Sequence, residues 1–370
     1  MFTSILTAIL VLSFLILVHE LGHFIAAKRS GVYVEEFGIG LPPRVFGKKI
    51  GETIYSINLL PFGGFVRLHG ESSEEKIKYP KRSFLKKDKK TRIKIITAGV
   101  IMNFILGIIA FSITYSFSGI PKDIGQVKVV EIMQNSPAQI SGLLVGDIIR
   151  KVEDKDVIQI DEFIDLVNEK LDKKVFFEIE RNVTGEKEVK KIRMTPRSNP
   201  PENEGPLGVV ITSTENYYPP IWQRPFVGIY YGLKEAIFWG WAILQGLFSM
   251  VSGLISGKVP QDVSGPVGVF AITAEAAKYG ILSLINFIGI FSINLAILNI
   301  VPFPALDGGK ILFIGIEAVT GKKVLPKIEN IIHAIGMVIL IILLIALTAR
   351  DIQRLISAGS ISGFLDSVVK

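Results

Sequence analysis

The sequence predicts a polytopic α-helical membrane protein with four transmembrane helices, a membrane-associated β-hairpin on the cytoplasmic side and one inserted extracytoplasmic α+β domain. Hydrophobic residues make up 49% of its 370 residues, and the mean hydropathy is +0.45. These values are too apolar for an ordinary soluble protein. Charged residues still reach 20%, and they collect between apolar stretches long enough to cross about 30 Å of hydrocarbon.

Charge and cysteine content narrow the possible functions. The net charge is +7, but the excess lies in one loop, so it predicts membrane topology rather than nucleic-acid binding. The chain has no cysteine, which excludes disulfides and thiolate ligands or nucleophiles. Any metal site must therefore use His, Asp, Glu and water.

The first predicted span, residues 1–27, contains the motif His19-Glu20-Leu21-Gly22-His23. On a helix, residues four apart share a face, so His19 and His23 can bind one cation with Glu20 beside it. This is the HExxH zinc pattern, in which the glutamate acts as general base. Two histidines resting at a membrane interface are the alternative. The apolar run before the motif favours the zinc site, because ionisable groups in hydrocarbon are costly and usually functional.

Residues 28–94 form a predicted cytoplasmic loop. They hold sixteen Lys and Arg against seven Asp and Glu, and the positive-inside rule then makes both termini extracytoplasmic. A re-entrant β-hairpin is expected at about residues 50–70, with a turn at Pro61–Gly64. Its edge could pair with an extended substrate. A surface hairpin without substrate contact is an equal alternative.

A second span is predicted at residues 95–119, and a soluble α+β domain follows at 120–198. Gly99 and Asn103 of the span are expected to serve helix packing. The domain has nearly equal numbers of basic and acidic residues. It also contains short runs that alternate as in β-strands, and one amphipathic stretch. Its order of Ser136-Pro137-Ala138, Gly142-Leu143 and Gly146–Ile149 resembles a circularly permuted bacterial PDZ domain. It would bind an extracytoplasmic peptide or chain segment, or act as a steric gate.

The remaining chain is predicted to contain two more spans. Residues 199–280 are expected to form a linker and interfacial amphipathic helices. A third span covers 281–320, a cytoplasmic loop and fourth span cover 321–349, and 350–370 form an extracytoplasmic tail. Residues 236–255 are long enough to span, but their crossing would move Asp307 to the opposite leaflet. They are therefore expected to lie flat or to re-enter.

Asp307, in Leu306-Asp307-Gly308-Gly309, is the predicted third metal ligand. Catalytic zinc typically takes three protein ligands, and Asp307 reaches about the same depth as His19. Prolines and glycines around Asp307 break the helix. Non-helical backbone inside a membrane is tolerated only where it is buried in protein or lines a water-filled cavity. A simple Asp-Gly turn at a helix end is the alternative, but it leaves the two histidines without a third ligand.

These motifs together resemble the bacterial site-2 proteases, the zinc intramembrane metalloproteases of the regulator-of-sigma-E protease group. The resemblance covers essentially the whole chain. It implies one Zn²⁺ held by His19, His23 and Asp307, with Glu20 as catalytic acid and base. It also implies substrate binding by five further residues, which are Asn294, Asn299, Gly63, Gly64 and Phe65.

Two departures from the family pattern limit this resemblance. The chain has one PDZ-like unit where the best-known members have two in tandem, so a double-PDZ gating model does not transfer. Val100 also replaces the proline that often follows the glycine of the second-span motif.

The expected activity is zinc-dependent cleavage of single-span membrane proteins within or near their transmembrane segment. The resemblance suggests an anti-sigma factor or a remnant signal peptide as substrate, in the bacterial cytoplasmic membrane. The expected partners are this substrate, a peptide at the PDZ-like domain and the lipid bilayer, without nucleic acid. A membrane scaffold with a structural metal and a metal transporter are the alternatives. The single HExxH argues against a transporter.

Overall fold

The computed structural model describes residues 2–71, 77–183, 186–201, 204–256, 265–322, 324–359 and 363–364. Ser264 and residues 360–362 and 365–370 of the predicted tail lie outside these residues. The chain divides into two compact units: residues 1–117 with 220–370 form the helical unit, and residues 118–219 form the inserted unit.

The helices are α1 (Phe2–Arg29), α2 (Lys89–Ser118), α3 (Pro137–Ile140), α4 (Ile160–Asn168), α5 (Arg224–Ile255), α6 (Pro266–Lys278), α7 (Ile281–Ile300), α8 (Asp307–Thr320) and α9 (Pro326–Ala358). The strands are β1 (Val34–Ile50), β2 (Thr53–Leu68), β3 (Ile120–Ile132), β4 (Ile148–Val152), β5 (Lys155–Asp156), β6 (Val175–Val183), β7 (Glu186–Met194) and β8 (Val209–Tyr217). Two short 3₁₀ turns, Pro80–Arg82 and Phe84–Lys86, precede α2.

Five of the described helices are long and apolar enough to cross a membrane, so the expected count of four spans is not confirmed. The five segments are Leu6–Arg29, Lys89–Ser118, Arg224–Gly253, Ile281–Ile300 and Ile328–Ala358. The additional segment belongs to α5, which contains residues 236–255 within one continuous helix.

Helix α5 packs closely against α2 in the antiparallel direction. Gly228 lies against Ser116, and Gly232 lies against Ser112, one turn further back along α2. A methyl group on either glycine would overlap these serine side chains. Small residues at a helix contact let two backbones approach, as membrane-spanning helices commonly require.

Helix α7 also runs antiparallel to α2. Gly289 packs on Phe111, and Ile293 packs on Gly107, one turn earlier in α2. Helices α5 and α7 therefore run in the same direction, so the chain between them must return. The short helix α6 lies in that return. With such a return, residues 236–255 can cross the membrane without moving Asp307 to the opposite leaflet.

Strands β1 and β2 form a larger sheet than the hairpin predicted at about 50–70. Glu36 in β1 pairs with both Ile54 and Arg67 of β2, because each strand folds back on itself. The result is a small sheet in which residues 34–41 lie between 53–60 and 64–68. Segment 64–68 follows the turn at Pro61–Gly64 and pairs with β1 along one side.

The inserted unit is a sheet of order β7-β6-β4-β3-β8 with β5 paired to β4. Alternating side chains of its strands bury a core that includes Val127, Ile149 and Phe177, each 0% exposed. The sequence predicts that this domain ends at residue 198 and that a linker follows it. In the structure β8 pairs with β3 from Ile120↔Tyr217 to Ile132↔Val209, so the unit extends to residue 219.

Candidate metal centre

Helix α1 brings His19 and His23 together as the four-residue spacing predicts. Their Nε2 atoms are 3.1 Å apart, and the two residues are 7% and 9% exposed. The apolar sequence before them forms the helix, and Lys28 and Arg29 end it. Cations at this end complement the helix dipole. Because His19 and His23 share one face of α1, both imidazoles point to the same buried position.

Asp307 reaches the same point as the first residue of α8. Its Oδ2 lies 3.0 Å from His19 Nε2 and 3.2 Å from His23 Nε2. The bend before it depends on glycine, because a methyl group on Gly308 or Gly309 would overlap backbone atoms of residues 300–304. The backbone N–H of Ala305 donates to His333 Nδ1 at 2.9 Å, which holds the bend against α9.

The three side chains fit a zinc ion. Zinc with ligands at 2.0–2.1 Å in tetrahedral geometry separates neighbouring ligand atoms by about 3.3 Å. The three ligand atoms here lie 3.0 to 3.2 Å apart. His23 Nδ1 donates to the Ile95 carbonyl at 2.9 Å. That bond leaves the lone pair of His23 Nε2 directed at the shared point, as a metal ligand requires.

Helix α2 supports His19 from behind. Asn103 is fully buried, with its side-chain nitrogen 3.4 Å from His19 Nδ1, and its Oδ1 lacks a hydrogen-bond partner among the described residues. The Asn103 amide is thus placed to pair with His19 Nδ1 and so to orient the ring. Gly99 leaves space for the rings, because a methyl group there would lie 2.7 Å from His19 Cε1. Both residues therefore do more than the helix packing expected of them.

Glu20 lies beside the metal cluster and is held by the hairpin. Its Oε2 accepts a hydrogen bond from the Val66 backbone N–H at 3.1 Å. Two turns earlier in α1, Ser13 Oγ donates to the Pro61 carbonyl at 2.7 Å and accepts from Gly63 N–H at 3.3 Å. Segment 61–66 thus follows the face of α1 that carries the predicted base.

A cavity of about 190 Å³ joins these groups. Four helices or strands and their loops contribute its lining residues, which are His19, Glu20, His23, Phe65, Val66, Leu68, Glu71, Phe84, Ile95, Ile96, Asp307 and Lys310. Lys310 Nζ donates to Glu71 Oε1 at 2.6 Å. The cavity therefore combines a ligand cluster, a carboxylate and an ammonium group.

The residues expected to bind substrate are distributed unevenly. Phe65 lines the cavity. Gly63 and Gly64 instead pack on α1, where added methyl groups would lie 3.1 Å from Ile16 and 3.3 Å from Leu17. Asn294 and Asn299 are half-buried on α7 and are not among the described residues that line the cavity.

Sequence reasoning missed Lys310 and the support that Asn103 gives to His19. Lys310 follows Asp307 by three residues, so the two share a helix face, and this spacing was a usable signal. The contact of Asn103 had only an indirect signal, namely a polar residue inside an apolar span.

Comparison with known proteins finds several relatives that are named as proteases. Zinc metalloprotease RasP of Oceanobacillus iheyensis is 30% identical and covers 95% of this chain and 99% of its own length. The regulator of sigma-W protease RasP of Bacillus subtilis is 29% identical with the same coverage. A Clostridium acetobutylicum protein, provisionally named as a zinc metalloprotease, is 35% identical over 353 residues, 95% of this chain and 98% of its own.

The family model for peptidase family M50 matches residues 7–343, which include the whole metal cluster and every described residue that lines its cavity. The Oceanobacillus and Clostridium relatives are named as zinc metalloproteases, and each alignment covers 95% of this chain. The chain therefore belongs to peptidase family M50, the site-2 group of membrane zinc metalloproteases.

Proposed function

We propose that this metalloprotease cleaves single-span membrane proteins within or near their transmembrane segment, using one zinc ion per chain. Anti-sigma factors and remnant signal peptides are the proposed substrates. The relative named regulator of sigma-W protease supports the first of these classes. The proposed setting is the bacterial cytoplasmic membrane, with the site toward the cytoplasm and the inserted unit and both termini outside.

The observation that carries this proposal is the convergence of His19, His23 and Asp307 within 3.2 Å, next to Glu20. The two histidines and Glu20 lie on a helix apolar enough to span a membrane, and Asp307 follows the end of another such helix, α7. A soluble peptidase has no need to place its ligands on such helices. A site at this depth can reach a peptide bond that lies inside or near the bilayer.

The chemistry assigns separate tasks to the ligands and to Glu20. Zinc held by His19, His23 and Asp307 would act as a Lewis acid and lower the pKa of water at the site. Glu20 takes the proton from the attacking water and later delivers it to the leaving amine. Its hydrogen bond to Val66 N–H keeps the carboxylate beside the cluster.

The hairpin and the inserted unit are proposed to handle the substrate chain. Peptide bonds must leave their helix before hydrolysis, and segment 64–68 offers an extended strand directly at the cavity. An unwound substrate can pair with such an edge. The inserted unit, interpreted as PDZ-like, would recruit or exclude the extracytoplasmic part of the substrate.

The test is the Glu20→Gln variant of the full chain, purified in detergent with a model single-span membrane protein. We expect it to retain stoichiometric zinc and to lose cleavage by at least about 100-fold, because general acid–base catalysis contributes 10² to 10⁴ in rate. Normal cleavage by Glu20→Gln would contradict the proposal.

A matched variant uses a histidine outside the cluster. His69 Nδ1 donates to Glu35 Oε1, and His69 Nε2 accepts from the Tyr79 backbone N–H, so this ring has partners of its own outside the cluster. We expect His69→Gln to keep its zinc and His23→Gln to lose it. Stoichiometric zinc without cleavage in the wild-type chain would favour a scaffold with a structural metal.

A further inference from the structure

We propose that Lys310 is a catalytic residue whose ammonium group stabilises the negative charge that develops on the scissile carbonyl oxygen. The inference rests on the proposed function, because it concerns the same hydrolysis at the same site. It adds a fifth side chain, beyond the three ligands and Glu20, with a defined task.

The position of Lys310 follows from helix geometry. Asp307 is the first residue of α8, and Lys310 lies three residues later on the same face. Both side chains line the cavity that also contains Glu20. The ammonium group donates to Glu71 Oε1 at 2.6 Å, which fixes the end of a long and otherwise flexible side chain.

Few of the other described residues that line the cavity could stabilise the negative charge on the carbonyl oxygen. His19, His23 and Asp307 are committed as ligands, and the carboxylates can only accept hydrogen bonds. The other described side chains of the lining are apolar, and the Val66 N–H already donates to Glu20. Lys310 is thus the single cationic side chain among the described lining residues. An ammonium has three N–H groups, and one of them goes to Glu71.

The reaction needs such a donor. Water oxygen bonds to the carbonyl carbon, its proton goes to Glu20, and the C=O π electrons move to the carbonyl oxygen. That oxygen becomes an anion, which a fixed positive charge in a low-dielectric cavity stabilises strongly. When the C=O bond re-forms, the C–N bond breaks and the proton on Glu20 goes to the amine. Lys310 keeps its own protons throughout.

The competing role for Lys310 is structural. Its ion pair with Glu71 connects α8 to the chain that follows β2, and this connection alone could explain a requirement for lysine. The two roles differ in what loss of Glu71 does. A structural pair fails equally when either partner is removed, whereas an oxyanion donor still works without Glu71, less well oriented.

The experiment compares Lys310→Met, Lys310→Gln, Lys310→Arg and Glu71→Gln in the full zinc-loaded chain. Turnover of the model single-span substrate gives kcat and KM. Binding of a phosphinic peptide, an anionic tetrahedral analogue, gives a readout independent of turnover. Zinc content and thermal unfolding show whether each variant is folded and loaded.

We expect Lys310→Met and Lys310→Gln to lower kcat about 100-fold, because removing one oxyanion donor costs 10² to 10³. KM should stay within about threefold, phosphinate affinity should fall with kcat/KM, and zinc content should not change. Lys310→Arg should recover most of the activity, and Glu71→Gln should lose less than about tenfold.

A matched control is Lys89→Met. Lys89 Nζ donates to the Glu317 carbonyl at 2.9 Å, so it also contacts α8, but it is not among the described residues of the cavity. We expect its kcat to equal that of the wild type.

The inference is overturned if Lys310→Met and Lys310→Gln keep kcat within about threefold and bind phosphinate as tightly as the wild type. It is also overturned if Glu71→Gln loses as much as Lys310→Met. Cleavage by the Glu20→Gln variant would instead contradict the proposed function, and phosphinate binding would then still decide the role of Lys310.

Discussion

At the scale of single residues, the site depends on contacts around the ligands as much as on the ligands. The Ile95 carbonyl sets the tautomer of His23, and Asn103 is placed to do the same for His19. Gly99 gives both rings their space. Such partners fix ring orientation and raise the basicity of ligand nitrogens.

Asn103 leads to a prediction on metal affinity. We expect Asn103→Val to weaken zinc binding about 10- to 100-fold, the usual effect of losing a hydrogen-bond partner of a ligand. Zinc competition with a chelator measures it. Asn294→Val, on α7 and outside the described cavity lining, is the control and should bind zinc like the wild type. Equal affinity of both variants would show that Asn103 only packs.

Gly99 leads to a prediction on packing. We expect Gly99→Ala to cost about 1–3 kcal/mol of stability and to weaken zinc binding, because the new methyl group overlaps the histidine rings. Gly315→Ala in α8 is the control, since nothing lies within 4 Å of its added methyl group. Thermal unfolding and zinc content compare the two. Unchanged values for Gly99→Ala would contradict the close packing.

At the scale of elements, the β1–β2 sheet is fastened to α1 at both ends. Ser13 and Glu20 hold the segment 61–66, as described above. At the other end, Glu52 in the β1–β2 turn accepts from Arg82 at 2.6 and 2.8 Å and from Lys28 at 3.3 Å. The sheet is therefore positioned by polar contacts on either side of the predicted base.

Glu52 leads to a prediction on pH. Hydrogen bonds from Arg82 lower the pKa of Glu52 from 4.5 to about 2. A lowered folded-state pKa adds stability that is complete above about pH 4.5 and is lost as the pH falls toward 2. The wild type should therefore be more stable than Glu52→Gln above pH 4.5, and the difference should shrink between pH 4.5 and 2. Thermal unfolding across this range measures it. A difference that stays constant down to pH 2.5 would contradict the prediction.

At the scale of the whole molecule, the direction of α5 determines the path of the chain through the membrane. Because α5 and α7 both run antiparallel to α2, we expect α5 to span and the segment containing α6 to return. This path keeps Asp307 at the level of His19 while adding a fifth span.

The absence of cysteine allows a direct test of this path. Single cysteines at Ile221, Ser256 and Tyr279, all exposed in the structure, would be labelled with an impermeant maleimide in vesicles of either orientation. We expect Ile221→Cys and Tyr279→Cys to react from outside and Ser256→Cys only from the cytoplasmic side. Reaction of Ser256→Cys from outside would mean that α5 does not span.

The sequence alone predicted the three residues that the structure brings together, and it predicted the class of protein that the family match confirms. His19 and His23 meet because their spacing fixes a shared helix face, and Asp307 is an acidic residue with few alternative roles at the end of an apolar span. Local geometry and the energetic cost of burying charge were enough for these conclusions.

Only the tertiary structure decided the direction of α5, the pairing of β1 with β2 and of β8 with β3, the contact of Asn103 with His19 and the place of Lys310 in the cavity that Glu20 also lines. Each of these depends on which distant segments the chain brings together, and helical or strand periodicity carries no information on that choice. The three converging residues could be predicted because they follow from local spacing and burial, whereas the contacts around them arise from packing between helices and strands far apart in sequence.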